Sequence, residues 1–425
     1  MRGFMVAAPS SGAGKTLVTL GLLRALSRRG VALAPAKAGP DYIDPRFHEA
    51  ACGETCANLD PWAMQPDRLR SLAASRDGLL VVEAMMGLFD GAADGTGAAA
   101  DLAATLDLPV VLVVDCARMS QSIAALVHGY ATWRDDVRLA GVVLNRVGSA
   151  RHESMLRRAL EDVPILGVLR RDPRLSVPER HLGLVQAREN AALEETIERA
   201  ADAVELGFDL PAIRALERGA DMGAAETAPP ASLPPLGQRI AVADDLAFSF
   251  RYPHMLADWR DRGADLSFFS PLNDEAPQPG AAVFLPGGYP ELHAGRLAAA
   301  SRFHDGLRRA TRVYGECGGY MVLGTGLVDA DGERHAMAGL LPLETSFAER
   351  RLHLGYRRLR PLGDGPFGRA TLRGHEFHYA SIVREGAAER LFSVADAQGS
   401  QRPPAGLRVG SVAGSFMHVI DREAA

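Results

Sequence analysis

Short apolar runs punctuate the first half of the chain at residues 4–8, 31–36, 78–82, 109–114 and 139–144, with amphipathic stretches of helical period between them. Strands buried on both faces read as near-continuous hydrophobic runs, and a helix between successive runs is the crossover that parallel pairing requires. The pattern predicts an α/β doubly wound parallel sheet. It breaks at 222–238, a small, proline-rich stretch without periodicity, which reads as a linker between separately packed units. The rhythm restarts at 239–243, 265–269, 281–285 and 312–314, so the expected organisation is a first domain over 1–222, a linker over 223–238 and a second α/β domain over 239–425. Ligands in such sheets bind beyond the carboxyl ends of the strands, which directs attention to the residues just after each run.

Composition narrows the classes. The 425 residues are 47% hydrophobic and 23% charged, as in an ordinary soluble protein of two or three domains. The net charge of -5 comes from mixed signs rather than blocks, which argues against nucleic acid or a membrane surface as the main partner. Residues 1–8 run straight into a glycine-rich loop and read as a buried first strand rather than a signal peptide. Four scattered cysteines do not form a secreted disulfide framework, so a reducing, cytoplasmic setting is expected. Cys52 and Cys56 offer too few ligands for a metal and read as buried thiols.

Two motifs carry chemistry. The first is Ser10-Ser11-Gly12-Ala13-Gly14-Lys15-Thr16, between a strand and a helix expected over 16–27. Its glycines let successive backbone N–H groups turn toward phosphate oxygens, Lys15 brings a charge to the terminal phosphates, and Thr16 offers a hydroxyl to Mg²⁺. Pro9 stands where the general phosphate-loop pattern has its first glycine. Glu83, closing the run 79–82, is placed to add a carboxylate. Asp41 and Asp44 share the Gly-Pro turn that follows Lys37, and two acids so close repel unless a cation neutralises them. Mg²⁺ with ATP is one answer; turn and helix-capping roles are the other.

The second motif is Gly315-Glu316-Cys317-Gly318-Gly319. A glycine-flanked cysteine between strand and helix matches the nucleophile elbow, with following N–H groups such as that of Gly318 aimed at a developing oxyanion and a helix N-terminus favouring thiolate. Gly287 and Gly288, after the preceding strand, suit the other oxyanion donor. His375, His378 and His418 are the candidate bases. His375 and His378 also sit with Arg350, Arg351 and Arg373 in a cationic, aromatic region suited to a polycarboxylate, although solvated charges explain it as well.

With the phosphate loop, Lys37 to Pro45, Glu83-Ala84-Met85-Met86-Gly87-Leu88-Phe89-Asp90-Gly91 and Glu179-Arg180-His181-Leu182-Gly183-Leu184 together, nearly the whole chain resembles the cobyrinic acid or hydrogenobyrinic acid a,c-diamide synthase family. Ala84 departs from the family's usual glycine. The N-terminal domain is similar to dethiobiotin synthetase, and the C-terminal domain resembles a class I glutamine amidotransferase. The resemblance implies that Asp41 and Glu83 help hold Mg²⁺, that Lys37 lies beside the transferring phosphate, and that Asp44 and Asp90 organise substrate or metal. It places Asn145 like the residue that reads adenine, a role that competes with that of a plain turn former. It selects His418 as the base for Cys317. The glutamate usually found two residues after that histidine is here Ile420, with Asp421 next.

The implied activity is ATP- and glutamine-dependent amidation of two carboxylates of a corrin through an acyl phosphate, with ammonia passed internally. The partners are then small molecules, with a homodimer left open. A partition-type ATPase switch shares the phosphate loop but has a lysine where Ser10 stands and no elbow cysteine. A relative acting on another tetrapyrrole handles ATP and glutamine with the same motifs.

Overall fold

The computed structural model describes residues 2–175, 193–216 and 232–423. The chain divides into two compact units, Met1–Pro230 and Ala231–Ala425. Residues 223–231 of the expected linker, and the Glu179 to Leu184 motif, lie outside the described residues.

The first unit is built on seven parallel strands, β1 (Gly3–Ala7), β2 (Leu33–Ala38), β3 (Ala57–Leu59), β4 (Leu79–Glu83), β5 (Val110–Asp115), β6 (Leu139–Val147) and β7 (Ile165–Arg170), in the order β3-β2-β4-β1-β5-β6-β7. β1, β2 and β4 are buried at every position, which explains why they read as unbroken apolar runs. β3 and β7 add to the strands read from the sequence. Helix α1 (Lys15–Arg28) starts one residue earlier than expected, after Gly14 in a left-handed conformation at φ 96°; α2 (Asp44–Cys52) opens on Asp44 with a proline in its first turn. Register brings the chemistry together. Lys37 of β2 and Val6 of β1 both pair with Glu83 of β4, so three strand ends meet where the phosphate loop begins.

In the second unit, β8 (Arg239–Ala243), β9 (Asp265–Phe269), β10 (Ala282–Leu285) and β11 (Arg312–Glu316) lie parallel in the order β9-β8-β10-β11, with the strand Val412–Ser415 parallel to β11. The sheet continues antiparallel through Gln401–Val409, Glu389–Asp396, His353–Pro361, Leu372–His378 and Met417–Arg422. Val412–Ser415 lies inside this sheet and Met417–Arg422 at its edge, yet only Phe416 separates them. The six strands from one to the other must therefore roll back on themselves, which returns His418 toward the end of β11. The apolar core includes Phe248, Val283, Phe303, Tyr320 and Leu323. Among the described residues no helix is long and apolar enough to cross a membrane.

Candidate functional site

In the first unit a cavity of about 1230 Å³ opens at the carboxyl end of the sheet. Ser11, Gly12, Gly14, Lys15, Thr16, Lys37, Asp41, Asp44, Glu83 and Asn145 line it; Ala13 and Asp90 are absent from its lining. Gly12 and Gly14 hold positive φ values of 78° and 96°, conformations that cost glycine little and tilt the loop's N–H groups inward. Asp90 ties its own loop instead, its Oδ2 accepting from Gly87 N at 2.8 Å. Asn145 braces the phosphate loop from behind: its Nδ2 donates to Ala13 O at 2.8 Å and its Oδ1 accepts from Arg146 N at 2.9 Å.

Glu83 is the hub. Its Oε1 accepts from Thr16 Oγ1 at 2.7 Å and Lys37 Nζ at 2.9 Å, and its Oε2 faces His48 Nε2 at 2.6 Å. Burial alone would raise the Glu83 carboxyl, but Lys37 and His48 outweigh it and hold the group below the usual carboxylate range. Lys37 Nζ also donates to Asp44 Oδ2 at 2.5 Å and lies 3.8 Å from Asp41 Oδ2. Burial pulls this ammonium down, yet Asp44, Glu83 and Asp41 raise it above its ordinary value. Lys37 is thus the cation that neutralises the two turn acids. Asp41 is a turn former too, its Oδ1 accepting from Ile43 N at 2.8 Å and Asp44 N at 3.1 Å. Burial and then Asp41 push the Asp44 carboxyl up to about 7. Lys15 donates to Met86 O at 2.5 Å, and burial lowers its pKa.

The sequence reading passed over His48, which is fully buried beneath Glu83. It also passed over Arg118, Arg146, Arg170 and Arg171, which join the cavity wall with Asp115 and Asp172; Arg146 pairs with Asp115 and Arg170 with Glu153, each at 2.6 Å. Cys52 and Cys56 are free thiols; Cys56 is buried, and its Sγ lies 3.4 Å from His48 Nδ1.

In the second unit Cys317 adopts φ 47° and ψ -107° at the start of the helix Gly318–Leu323. A non-glycine residue held there is strained, and such strain marks functional turns. The backbone N–H groups of Gly318 and Gly288 are both directed at its sulfur. Gly287 supplies room: a Cβ there would lie 2.3 Å from His418 Cε1, 3.1 Å from its Nε2 and 3.2 Å from Cys317 Cβ. Imidazole and thiol therefore converge over one glycine. His375 pairs with His418 across neighbouring strands, while His378 Nδ1 faces Ala380 O at 3.1 Å.

Burial works against the expected thiolate. Burial, then the charge of Glu291, raises the Cys317 thiol, and the two amides only partly offset this. A helix of six residues adds too little dipole to reverse it. Burial, then His375 and His378, brings His418 down to about 3. Both shifts favour the uncharged forms of the thiol and the imidazole.

Among the described residues, metal-ligand spacing occurs at His353, Glu376 and His378 and at Asp329, Glu333 and His335. In the first group Arg357 pairs with Glu376 at 2.7 Å, and in the second Asp329 pairs with His335 at 2.7 Å. Internal partners account for both.

A phosphate-loop sheet with a buried lysine-carboxylate hub, followed by a unit carrying a strained cysteine and a histidine, defines the class of amidating ligases that take nitrogen from glutamine. Residues 4–185 match the CobQ/CobB/MinD/ParA nucleotide binding domain, and residues 239–425 match the CobB/CobQ-like glutamine amidotransferase domain. A hydrogenobyrinate a,c-diamide synthase from Sinorhizobium sp is 63% identical over 431 residues, 99% of each chain. Those of Brucella anthropi and Mesorhizobium japonicum are 62% and 51% identical, covering 99% and 100% of this chain and 99% of each relative. The chain belongs to the hydrogenobyrinate a,c-diamide synthase family.

Proposed function

We propose that this protein uses ATP and glutamine to amidate the a and c side-chain carboxylates of hydrogenobyrinic acid, a metal-free corrin. The observation that supports this most is the 63% identity to a hydrogenobyrinate a,c-diamide synthase over 99% of both chains. In the first unit the substrate carboxylate attacks the γ-phosphorus of ATP, giving an acyl phosphate and ADP. Ammonia then attacks the acyl carbon, and inorganic phosphate leaves as the amide forms. The backbone of Ser11 to Thr16 cradles the phosphates, with Lys15 and Lys37 meeting the charge that shifts during transfer. Asp44 holds Lys37 in place. Asn145 shapes the loop, and Asp90 fixes the segment after Glu83.

The donors fit Mg²⁺ in kind: Thr16 Oγ1 lies 2.7 Å from Glu83 Oε1, and with Asp41 these are hard oxygens of the sort that share this ion with phosphates. Thr16, Glu83 and Asp41 would hold it, and it would supply charge neutralisation for the phosphates.

In the second unit Cys317 attacks the glutamine amide carbon while His418 takes the thiol proton and passes it to the departing nitrogen. Ammonia and a glutamyl thioester result, and water releases glutamate. Gly288 and Gly318 donate to the oxyanion, and Gly287 leaves space for the imidazole. Segregation matters because free ammonia at neutral pH is mostly protonated and unreactive. The same reading places the protein in the cytoplasm and takes a homodimer as the assembly to test.

The test offers purified protein ATP, Mg²⁺ and glutamine with metal-free or cobalt-bearing corrin acid. Two successive amidations of the metal-free acid are expected, with one substrate carboxylate oxygen, labelled with oxygen-18, appearing in phosphate. Turnover without label transfer would remove the acyl phosphate, and preference for the cobalt form would overturn the substrate assignment.

A further inference from the structure

His418 needs a partner at Nδ1 to set its tautomer, and the residue two places on cannot serve: Ile420 is apolar and fully buried. Asp421, the next carboxylate, lies opposite Arg373 in the strand pairing, and its Oδ1 accepts from Arg422 N at 2.8 Å. Another acid approaches from a different element. Glu316 ends β11, one residue before the nucleophile, and is 1% exposed. Its Oε2 lies 4.0 Å from His418 Nδ1, and its Oε1 accepts from Val419 N at 3.1 Å, which anchors the carboxylate to the strand that bears the histidine.

Resting on the reading of Cys317 and His418 given above, we infer that Glu316 is the positioning carboxylate of the glutamine site, replacing from the neighbouring strand end the acid that normally follows the histidine. Glu316 and Cys317 then address the two nitrogens of one ring. Nε2 borders the space above Gly287 that Cys317 Cβ also borders, while Nδ1 is the nitrogen near Glu316. An ionised Glu316 accepts from Nδ1–H and leaves Nε2 bare to take the thiol proton; a protonated Glu316 would donate to Nδ1 and put the ring proton on the wrong nitrogen. The 4.0 Å separation is longer than a hydrogen bond, as catalytic contacts often are before substrate closes the site.

Burial raises the Glu316 carboxyl to about 8. Glutamine hydrolysis should therefore rise with pH as Glu316 ionises. The groups that bear on this site are Tyr314 on β11, His375 and His378 on the adjacent strand, and Glu291 after β10.

The test compares wild type with Glu316→Gln, Glu316→Asp, Asp421→Asn, Cys317→Ala and His418→Ala in glutamine hydrolysis. Its other readouts are the pH dependence of Cys317 alkylation by iodoacetamide, amidation with ammonium, and melting temperature. Glu316→Gln should lower kcat roughly 100-fold with KM changed less than about threefold, remove the rising limb near pH 8 from the alkylation profile, and keep ammonium-dependent amidation. Glu316→Asp should restore part of kcat. A Glu316→Gln enzyme with unaltered kcat and pH profile would overturn the inference, as would a loss that follows a lowered melting temperature with the limb intact, or an equal loss confined to Asp421→Asn. Full hydrolysis by Cys317→Ala or His418→Ala would instead defeat the underlying reading of the site.

Discussion

Both units bury ionisable groups at the carboxyl ends of parallel strands, and they treat them in opposite ways. In the first, Glu83, Lys37 and His48 are 1%, 3% and 0% exposed, yet Lys37 and His48 hold the acid below its ordinary pKa, and Asp44 and Glu83 hold the lysine above its own. In the second, Glu316, Cys317 and His418 are buried to the same degree, but the charges and amides around them do not outweigh that burial, and all three are driven toward neutral forms. Desolvation sets the direction in both places, and counter-charge decides whether it prevails. The contrast suits the chemistry. Phosphoryl transfer needs charges that are permanent and fixed in space, whereas thioester chemistry needs a proton that can move between groups.

The strongest way to break this comparison is Cys317→Ala. Glutamine-dependent amidation should fall at least about 10⁴-fold, as removal of a nucleophile does elsewhere, while amidation with high ammonium should persist. Product assays with each nitrogen source check this. Equal losses would mean that the two sites do not divide the work.

Lys37→Met attacks the other half. It strands Glu83 and Asp44 without their ammonium, and breaking such a buried pair from one side costs about 3–5 kcal/mol. Amidation should drop roughly 1000-fold with either nitrogen source, while glutamine hydrolysis continues. Because Lys37 is the main charge holding Glu83 below the usual carboxylate range, the variant should lack the acid-sensitive part of stability that this depression supplies. In the wild type this contribution is complete above the ordinary carboxylate range and is lost progressively as pH falls through that range and below it, so the gap in stability between wild type and variant should narrow in acid. Chemical denaturation at a series of pH values reads both effects.

Gly287→Ala is a smaller, sharper probe of the thiol site. Its new methyl would stand 2.3 Å from His418 Cε1, so the imidazole must move away from the sulfur, at a cost of roughly 100-fold in glutamine hydrolysis. Ammonium-dependent amidation should be unchanged. Unaltered hydrolysis would show that His418 does not work from the position it occupies beside Gly287.

How legible these features were follows from how local they are. The phosphate loop and the cysteine elbow are runs of consecutive residues whose backbone demands are visible in their glycines. The parallel strands announced themselves because both of their faces are buried. The strand His353–Pro361 did not, since Arg357, Arg358 and Arg360 interrupt it and its burial alternates only weakly. His48 gave no signal either: it reaches Glu83 from 35 positions away, through a helix whose placement depends on the finished sheet. Asp41 and Asp44 were read as needing a cation, and the strand register supplied Lys37. Glu316 was in plain view beside Cys317, but its relation to His418 depends on the rolled sheet that returns residue 418 to the end of β11.

The mildest perturbation tests how much the first site depends on backbone shape. Asn145 contributes no charge, is 3% exposed, and spends its amide on Ala13 O and Arg146 N. A Cβ on Gly14 would come within 2.2 Å of its Nδ2, so the side chain fills the space behind the loop. Asn145→Ala removes one buried hydrogen bond to that loop, worth about 1–1.5 kcal/mol, which corresponds to roughly a tenfold rise in the KM for ATP. Because the loss falls on the positioning of phosphate-binding amides rather than on a reacting group, kcat should change less than KM, and glutamine hydrolysis at Cys317 should stay as it was. ATP titrations of amidation and of nucleotide binding separate these quantities. A fall in kcat with KM unmoved would instead assign Asn145 to transition-state charge, and the first site would then rely on more than the lysine and carboxylate hub that distinguishes it from the second.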